Sequence, residues 1–344
     1  MWASGRCRSE TIPSLDEVSG RASIVQAIAL TLMLAALETG AARIQEDFST
    51  DPLAHGWQIY GQNTLFHWNT TNQNLEVTWD SSQQNSYFHL PLGVTLDKND
   101  DFSFEFNLVL NSIAFGVDPQ HPYTFEFALG LLNLQSATSP SLERGSGINA
   151  THGPRNIVEF DYFPDSGYGA TVSPTIISSN NQWATVFSLF TMDLGAVFHV
   201  AMSYTASNQT LTTTMTKNGE PFGPIDSVVL DGSFNDFQVD HFALESYNDT
   251  GADGSILATG IIDNIQINVP PPPVQNIAGH FTNGVWEVTF QSRTNWGYTL
   301  ERTANLQSWT SASSLAPGTG ELLQLQDPAP AAQSASYRVR AQRQ

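Results

Sequence analysis

The stretch that decides how this chain is read is Ile157–Gly169, "IVEFDYFPDSGYG". Residues two apart on a strand share a face, about 6.6 Å apart along the chain. On that period Val158, Phe160 and Tyr162 form an apolar face that belongs in a core. Ile157, Glu159, Asp161 and Phe163 share the other face. Two carboxylates this close raise each other's pKa unless a cation or a donor sits between them. Calcium suits such a place, because it takes oxygen ligands from carboxylates, carbonyls and water. The chain turns after Pro164, where Asp165 and neighbouring carbonyls are placed to complete a shell. A second reading puts Glu159 and Asp161 on a solvated sheet face beside Arg155 or Arg144, with Asp165-Ser166-Gly167 an ordinary turn.

The same two-residue alternation runs outward in both directions. "LEVTW" (75–79), "FSFEFNLVL" (102–110), "YTFEFALGLL" (123–132), "AVFHVAMSY" (196–204), "QTLTTTMTK" (209–217), "FQVDHFALESY" (237–247) and "GIIDNIQINV" (260–269) are rich in β-branched and aromatic residues. Clusters such as "KNDD", "KNGEPFGP" and "NDTGADGS" separate them as turns. The pattern predicts an all-β protein, a two-sheet jelly-roll sandwich.

Charge divides the chain. The net charge of its 344 residues is -20. Residues 51–270 hold 23 acidic and four basic residues, whereas residues 271–344 hold four acidic residues and five arginines. A composition break of this size marks two modules. "VPPPPV" (269–274), stiff and extended, falls at the break. The expected organisation is a sandwich over 46–268, a Pro-rich linker over 269–274 and a small β-module over 275–344. The acidity excludes a nucleic-acid partner, since phosphate binding needs a basic face.

At the N-terminus "IVQAIALTLMLAAL" (24–37) follows Arg21 and precedes "GAA" at Gly40–Ala42. This reads as a secretory signal within residues 1–42, too short for a membrane span. It implies a secreted or cell-surface protein with no span in the mature chain. The single cysteine, Cys7, lies within that segment.

"VEFDYFPDSG" resembles the metal-binding strand and loop of legume-type lectins, in the concanavalin A-like superfamily. The resemblance implies that Glu159 ligates a transition metal and that Asp161 bridges it to calcium. It further implies that Phe163 offers its carbonyl and that Asp165 replaces a family Asn. Where that family places a further Asp and a His, this chain has Ser166-Gly167-Tyr168-Gly169 and Thr175. A calcium site is what the resemblance leaves. "FALESYNDTGADGSILATGIIDNIQI" resembles the closing hairpin of the same superfamily, whose variable loop shapes a sugar site. Asp249 and Asp253 on that loop, with Tyr168, are the candidate ligand-binding residues. The tail "YTLERTANLQSW…SYRVRAQ" resembles a small β-module common on secreted bacterial proteins.

The implied function is non-catalytic carbohydrate binding, with calcium ordering the loops. Two alternatives stay open: a glycoside hydrolase on the same fold, and a structural or adhesive surface protein. A retaining glycosidase needs two carboxylates about 5–5.5 Å apart. Here Glu159-Phe160-Asp161 is followed by Phe163 and Pro164, with no third acid on the strand.

Overall fold

The computed structural model describes residues 42–148, 150–331 and 334–343. The signal-peptide reading of residues 1–42 lies almost wholly outside them. The described residues make one compact unit. Among the described residues, no helix is long and apolar enough to cross a membrane.

Alternating sequence becomes two stacked antiparallel sheets, as the all-β expectation requires. One has ten strands, running in the order Glu220–Phe222, Thr210–Lys217, Val197–Thr205, Phe102–Phe115, Gly254–Val269, Asn74–Asp80 and Phe66–Asn69, with three more paired off this path. Ala42–Glu46 joins it on Gly254–Val269, with Ala42 opposite Val269. The other has eight strands, with Trp183–Thr185, Thr171–Ile177, Ile157–Phe163, Phe127–Leu132, Val239–Ser246, Ser86–Leu96 and Gln58–Tyr60 side by side.

The space between the sheets is filled by the apolar face of each strand. Phe106 meets Phe160 edge-on with ring centres 5.9 Å apart, and Phe104 meets Phe242 at 5.6 Å. Trp79 lies 4.6 Å from Phe127. Geometries of this kind are favoured by the ring quadrupoles. Phe160 is in the core as the alternation demands, so Glu159 and Asp161 emerge on the far side of the eight-stranded sheet.

Residues 275–343 form two further sheets. Gln275–Thr282, Val285–Gln291 and Leu322–Asp327 make one; Trp296–Thr303 and Ser336–Arg343 are the long strands of the other. Their core is separate and small: Val288, Phe290, Trp296, Tyr298, Leu300 and Leu325. The proline stretch before them is tied down. The Tyr298 hydroxyl donates to the Pro273 carbonyl at 2.7 Å, and Arg293 Nη1 donates to the Pro271 carbonyl at 3.1 Å. Arg293 Nη2 then reaches Asp100 Oδ1 at 2.7 Å, and Arg343 Nε reaches Asp97 Oδ2 at 2.5 Å. These two arginines pin the small sheets to the turn that precedes Phe102.

Candidate functional site

Strand register explains why acids collect on one patch of the eight-stranded sheet. Glu159 stands opposite Gly130 on one side and Thr175 on the other; Asp161 stands opposite Ala128 and Ser173. One strand further, Ala128 stands opposite Glu245, and Gly130 opposite Ala243. All these residues share a face. Ala128, Gly130 and Ala243 are too small to fill it, which leaves a hollow rimmed by Glu159, Asp161 and Glu245. A side chain at Gly130 is impossible here, since a Cβ there would lie 2.5 Å from the Glu159 Cα.

The hollow is covered by the segment between Leu132 and Ile157, which lowers Arg144 into it. Arg144 Nη2 donates to Glu159 Oε1 at 2.6 Å and to Asp161 Oδ2 at 3.4 Å. Its Nε lies 3.3 Å from Glu126 Oε1, an ionic approach without the alignment of a hydrogen bond. The guanidinium carbon sits 4.7 Å from the Trp183 ring centre and 5.3 Å from that of Tyr247, within cation–π range. The Tyr247 hydroxyl donates to Glu159 Oε2 at 2.9 Å and also meets Glu245 Oε2. Arg144 is 2% exposed, and Glu159, Asp161, Glu126 and Glu245 are all buried.

One positive charge faces four carboxyl groups out of water. Burial, joined by the Glu159 charge, pushes the Asp161 and Glu245 carboxyls well above the usual carboxylate range. Burial also raises that of Glu126, against the pull of Arg144. The guanidinium feels burial against its charge, but Glu159, Glu126 and Asp161 outweigh it and hold it protonated. Burial with too few cations thus biases Asp161, Glu245 and Glu126 toward their neutral, protonated forms.

The expected metal ligands end up in different surroundings. Glu159 and Asp161 are together, on the side expected, but a guanidinium occupies the room between them. Phe163 is half-buried at the end of their strand. Asp165 is turned to its own loop, where its Oδ1 accepts the Gly167 N–H at 3.0 Å. Ser166 closes that loop onto the Gly169 carbonyl, and Tyr168 projects into solvent, 88% exposed. A calcium ion does not fit the Glu159–Asp161 pair as built. Among the described residues no three His, Cys, Asp or Glu side chains are grouped as metal ligands. Asp249 is buried, its Oδ2 accepting from Ser81 Oγ at 2.9 Å, a contact that ties its loop to the chain just after Asn74–Asp80. Asp253 accepts the Tyr123 N–H on its carbonyl at 3.2 Å and faces an open groove. Arg155 lies apart, donating to the Thr151 carbonyl.

That groove is the accessible feature above the cluster. It encloses about 610 Å³ between the 122–126, 144–147, 163–167 and 252–254 segments, with Trp183 at its side. Tyr123, Phe163 and Trp183 give it aromatic walls, while Glu126, Asp165 and Asp253 give it oxygen acceptors. Tyr123 is 68% exposed. The Trp183 indole N–H is shielded from solvent and has no acceptor. Sequence reading named Arg144 as one of two candidate neighbours of Glu159 and Asp161, but on a solvated face where the structure buries all three, and it missed Glu126 and Glu245 as members. The signal was present: each of those acids interrupts an apolar run of sequence, in "YTFEF" and "FALESY", as Glu159 does in "IVEFDYF".

No protein-family model and no curated protein sequence matches this chain. Solved structures similar to it include peanut lectin with a 9mer peptide, at 14% identity and a TM-score of 0.41, covering 67% of this chain and 99% of that one. Lectin II from Ulex europaeus is similar at 13% identity and a TM-score of 0.40, covering 65% of this chain and 99% of that one. The binding domain of botulinum neurotoxin serotype G is similar at 9% identity and a TM-score of 0.40, covering 81% of this chain and 69% of that domain. At these identities the likeness concerns chain course alone.

Proposed function

We propose that this chain is a secreted, non-catalytic carbohydrate-binding protein whose sugar site is the groove walled by Tyr123, Phe163 and Trp183. The observation that carries the reading is the pairing, in one open groove, of aromatic faces with carboxylate acceptors. Pyranose rings present an apolar C–H face to a flat ring and hydroxyl donors to a carboxylate. Exposed Tyr123 supplies such a face, and Asp165 and Asp253 supply acceptors. Secretion rests on the apolar segment 24–37.

Neutral sugars suit the groove better than acidic ones. Its wall acids and the net charge of -20 repel sialic and uronic acids. Hydrolysis is disfavoured because Glu159 and Asp161 are buried and already gripped by Arg144, out of reach of a glycosidic bond. Calcium has no part in the reading, since the pair expected to hold it is taken.

A glycan array followed by titration calorimetry tests the proposal. Neutral oligosaccharides bind, sialylated and uronate-bearing ones do not, and Tyr123→Ala weakens binding about tenfold or more, the scale of one lost stacking contact. An array without binders defeats the reading and leaves a structural or adhesive role. Release of reducing sugar from a polysaccharide panel would replace it with the hydrolase.

A further inference from the structure

The structure assigns to Arg144 the part of an internal cation: its guanidinium, and not a divalent ion, gathers the acids and fixes the loops that wall the groove. The hollow it enters is a feature of the sheet itself. Ala128, Gly130 and Ala243 keep the surface low, and Glu159, Asp161 and Glu245 ring it with oxygen. Something cationic has to fill such a place, because buried carboxylates without a counter-charge are costly. Arg144 fills it with contacts to three acids and two aromatic rings.

Arg144 also couples two walls of the groove. Gly145 lies against Ala252 so closely that a Cβ on it would come 2.3 Å from the Ala252 Cβ. Gly251 approaches the Glu143 side chain in the same way, where a Cβ would lie 3.1 Å from Oε2. The Glu143 N–H donates to the His152 carbonyl at 2.9 Å, closing the segment that carries Arg144. Drawing the guanidinium into the hollow thus seats the 143–147 and 251–254 segments together. The groups facing it are Glu126, Glu159, Asp161, Glu245, Tyr247 and, behind them, Tyr87. The inference rests on the carbohydrate reading only for what the groove binds.

Thermal melting of the full chain tests it. Dialysis against EDTA, and addition of millimolar CaCl2 or MnCl2, leave Tm unchanged. A Tm that falls in EDTA and returns with either ion overturns the inference. Arg144→Gln and Arg144→Lys are then melted at pH 7 and pH 4. The Gln variant melts on the order of 10 °C below the parent at pH 7. The gap narrows at pH 4, where protons do the guanidinium's work, and the Lys variant falls between the two. A Gln deficit of the same size at both pH values overturns the inference. If neither variant folds, the chelator series on the parent chain decides. Glycan binding measured in the same buffers separates the two readings. Binding that needs calcium defeats the role of Arg144, whereas binding absent in every buffer removes the sugar and leaves that role intact.

Discussion

Arginine meets acid at two places in this molecule, and the two are built differently. Under the eight-stranded sheet's outer face, one buried guanidinium serves Glu126, Glu159 and Asp161, with Glu245 held nearby through Tyr247. At the junction with the C-terminal sheets, Arg293 and Arg343 serve Asp97 and Asp100, and both arginines keep partial contact with water. The first is short of positive charge, and burial biases its acids toward their neutral forms. The second is balanced, and it can be hydrated when it opens. A buried pair is therefore expensive to break from one side, while a half-wet pair gives way gradually.

The sharpest test of that contrast is Arg144→Met. Stripping the cation from buried carboxylates costs about 3–5 kcal/mol, read as a lowered urea midpoint; a loss below 1 kcal/mol would make the hub no different from the junction. Asp100→Asn removes the shared partner of Arg293 and Arg343. It costs about 1.5–3 kcal/mol, the range for hydrogen bonds to charged groups. It also exposes the 269–274 segment to proteases, an effect that high salt mimics in the parent because partly exposed pairs are screened.

Proton uptake gives the next effect. Asp161 and Glu245 bind protons more tightly folded than unfolded, and burial is the leading cause in both. Their stabilisation is complete below the ordinary carboxylate range and is lost as pH rises toward their folded pKa values. The contribution of these two groups to stability, read by denaturant titration, accordingly declines as pH rises out of the ordinary carboxylate range, and a parent-minus-Glu245→Gln difference that stays flat across that rise would break the argument. His89, whose imidazole burial pushes down to about 4 from 6.5, is common to parent and variant and cancels in the difference. That group costs stability as pH falls through the interval, the opposite sense. The smallest effect belongs to Glu245→Gln. A neutral amide replaces a carboxyl that burial biases toward its neutral form, so the loss stays below about 1 kcal/mol, and the decline with rising pH becomes shallower.

Much of the fold was legible from residue types. Six of the seven alternating segments are strands, the seventh, 123–132, being broken at Phe125-Glu126 into two; Phe160 faces the core while Glu159 and Asp161 face away, because a period of two leaves no other arrangement. The acidic and the arginine-bearing parts have two hydrophobic clusters within one compact unit. Less legible was the character of "VPPPPV". Composition describes a stiff spacer, yet Tyr298 and Arg293 fasten it by hydrogen bonds from residues more than 20 positions later.

Sequence alone determined which side of the sheet the acids occupy, since alternation is a local property of an extended chain. It did not determine whether that side is wet, metal-filled or covered. That depended on a segment 15 residues upstream of Glu159 folding back to deliver Arg144, and on Glu245 arriving beside Asp161 across the Phe127–Leu132 strand. Counter-charge and solvent exposure are set by what packs against a face, so only the tertiary structure chose between an ion and a guanidinium.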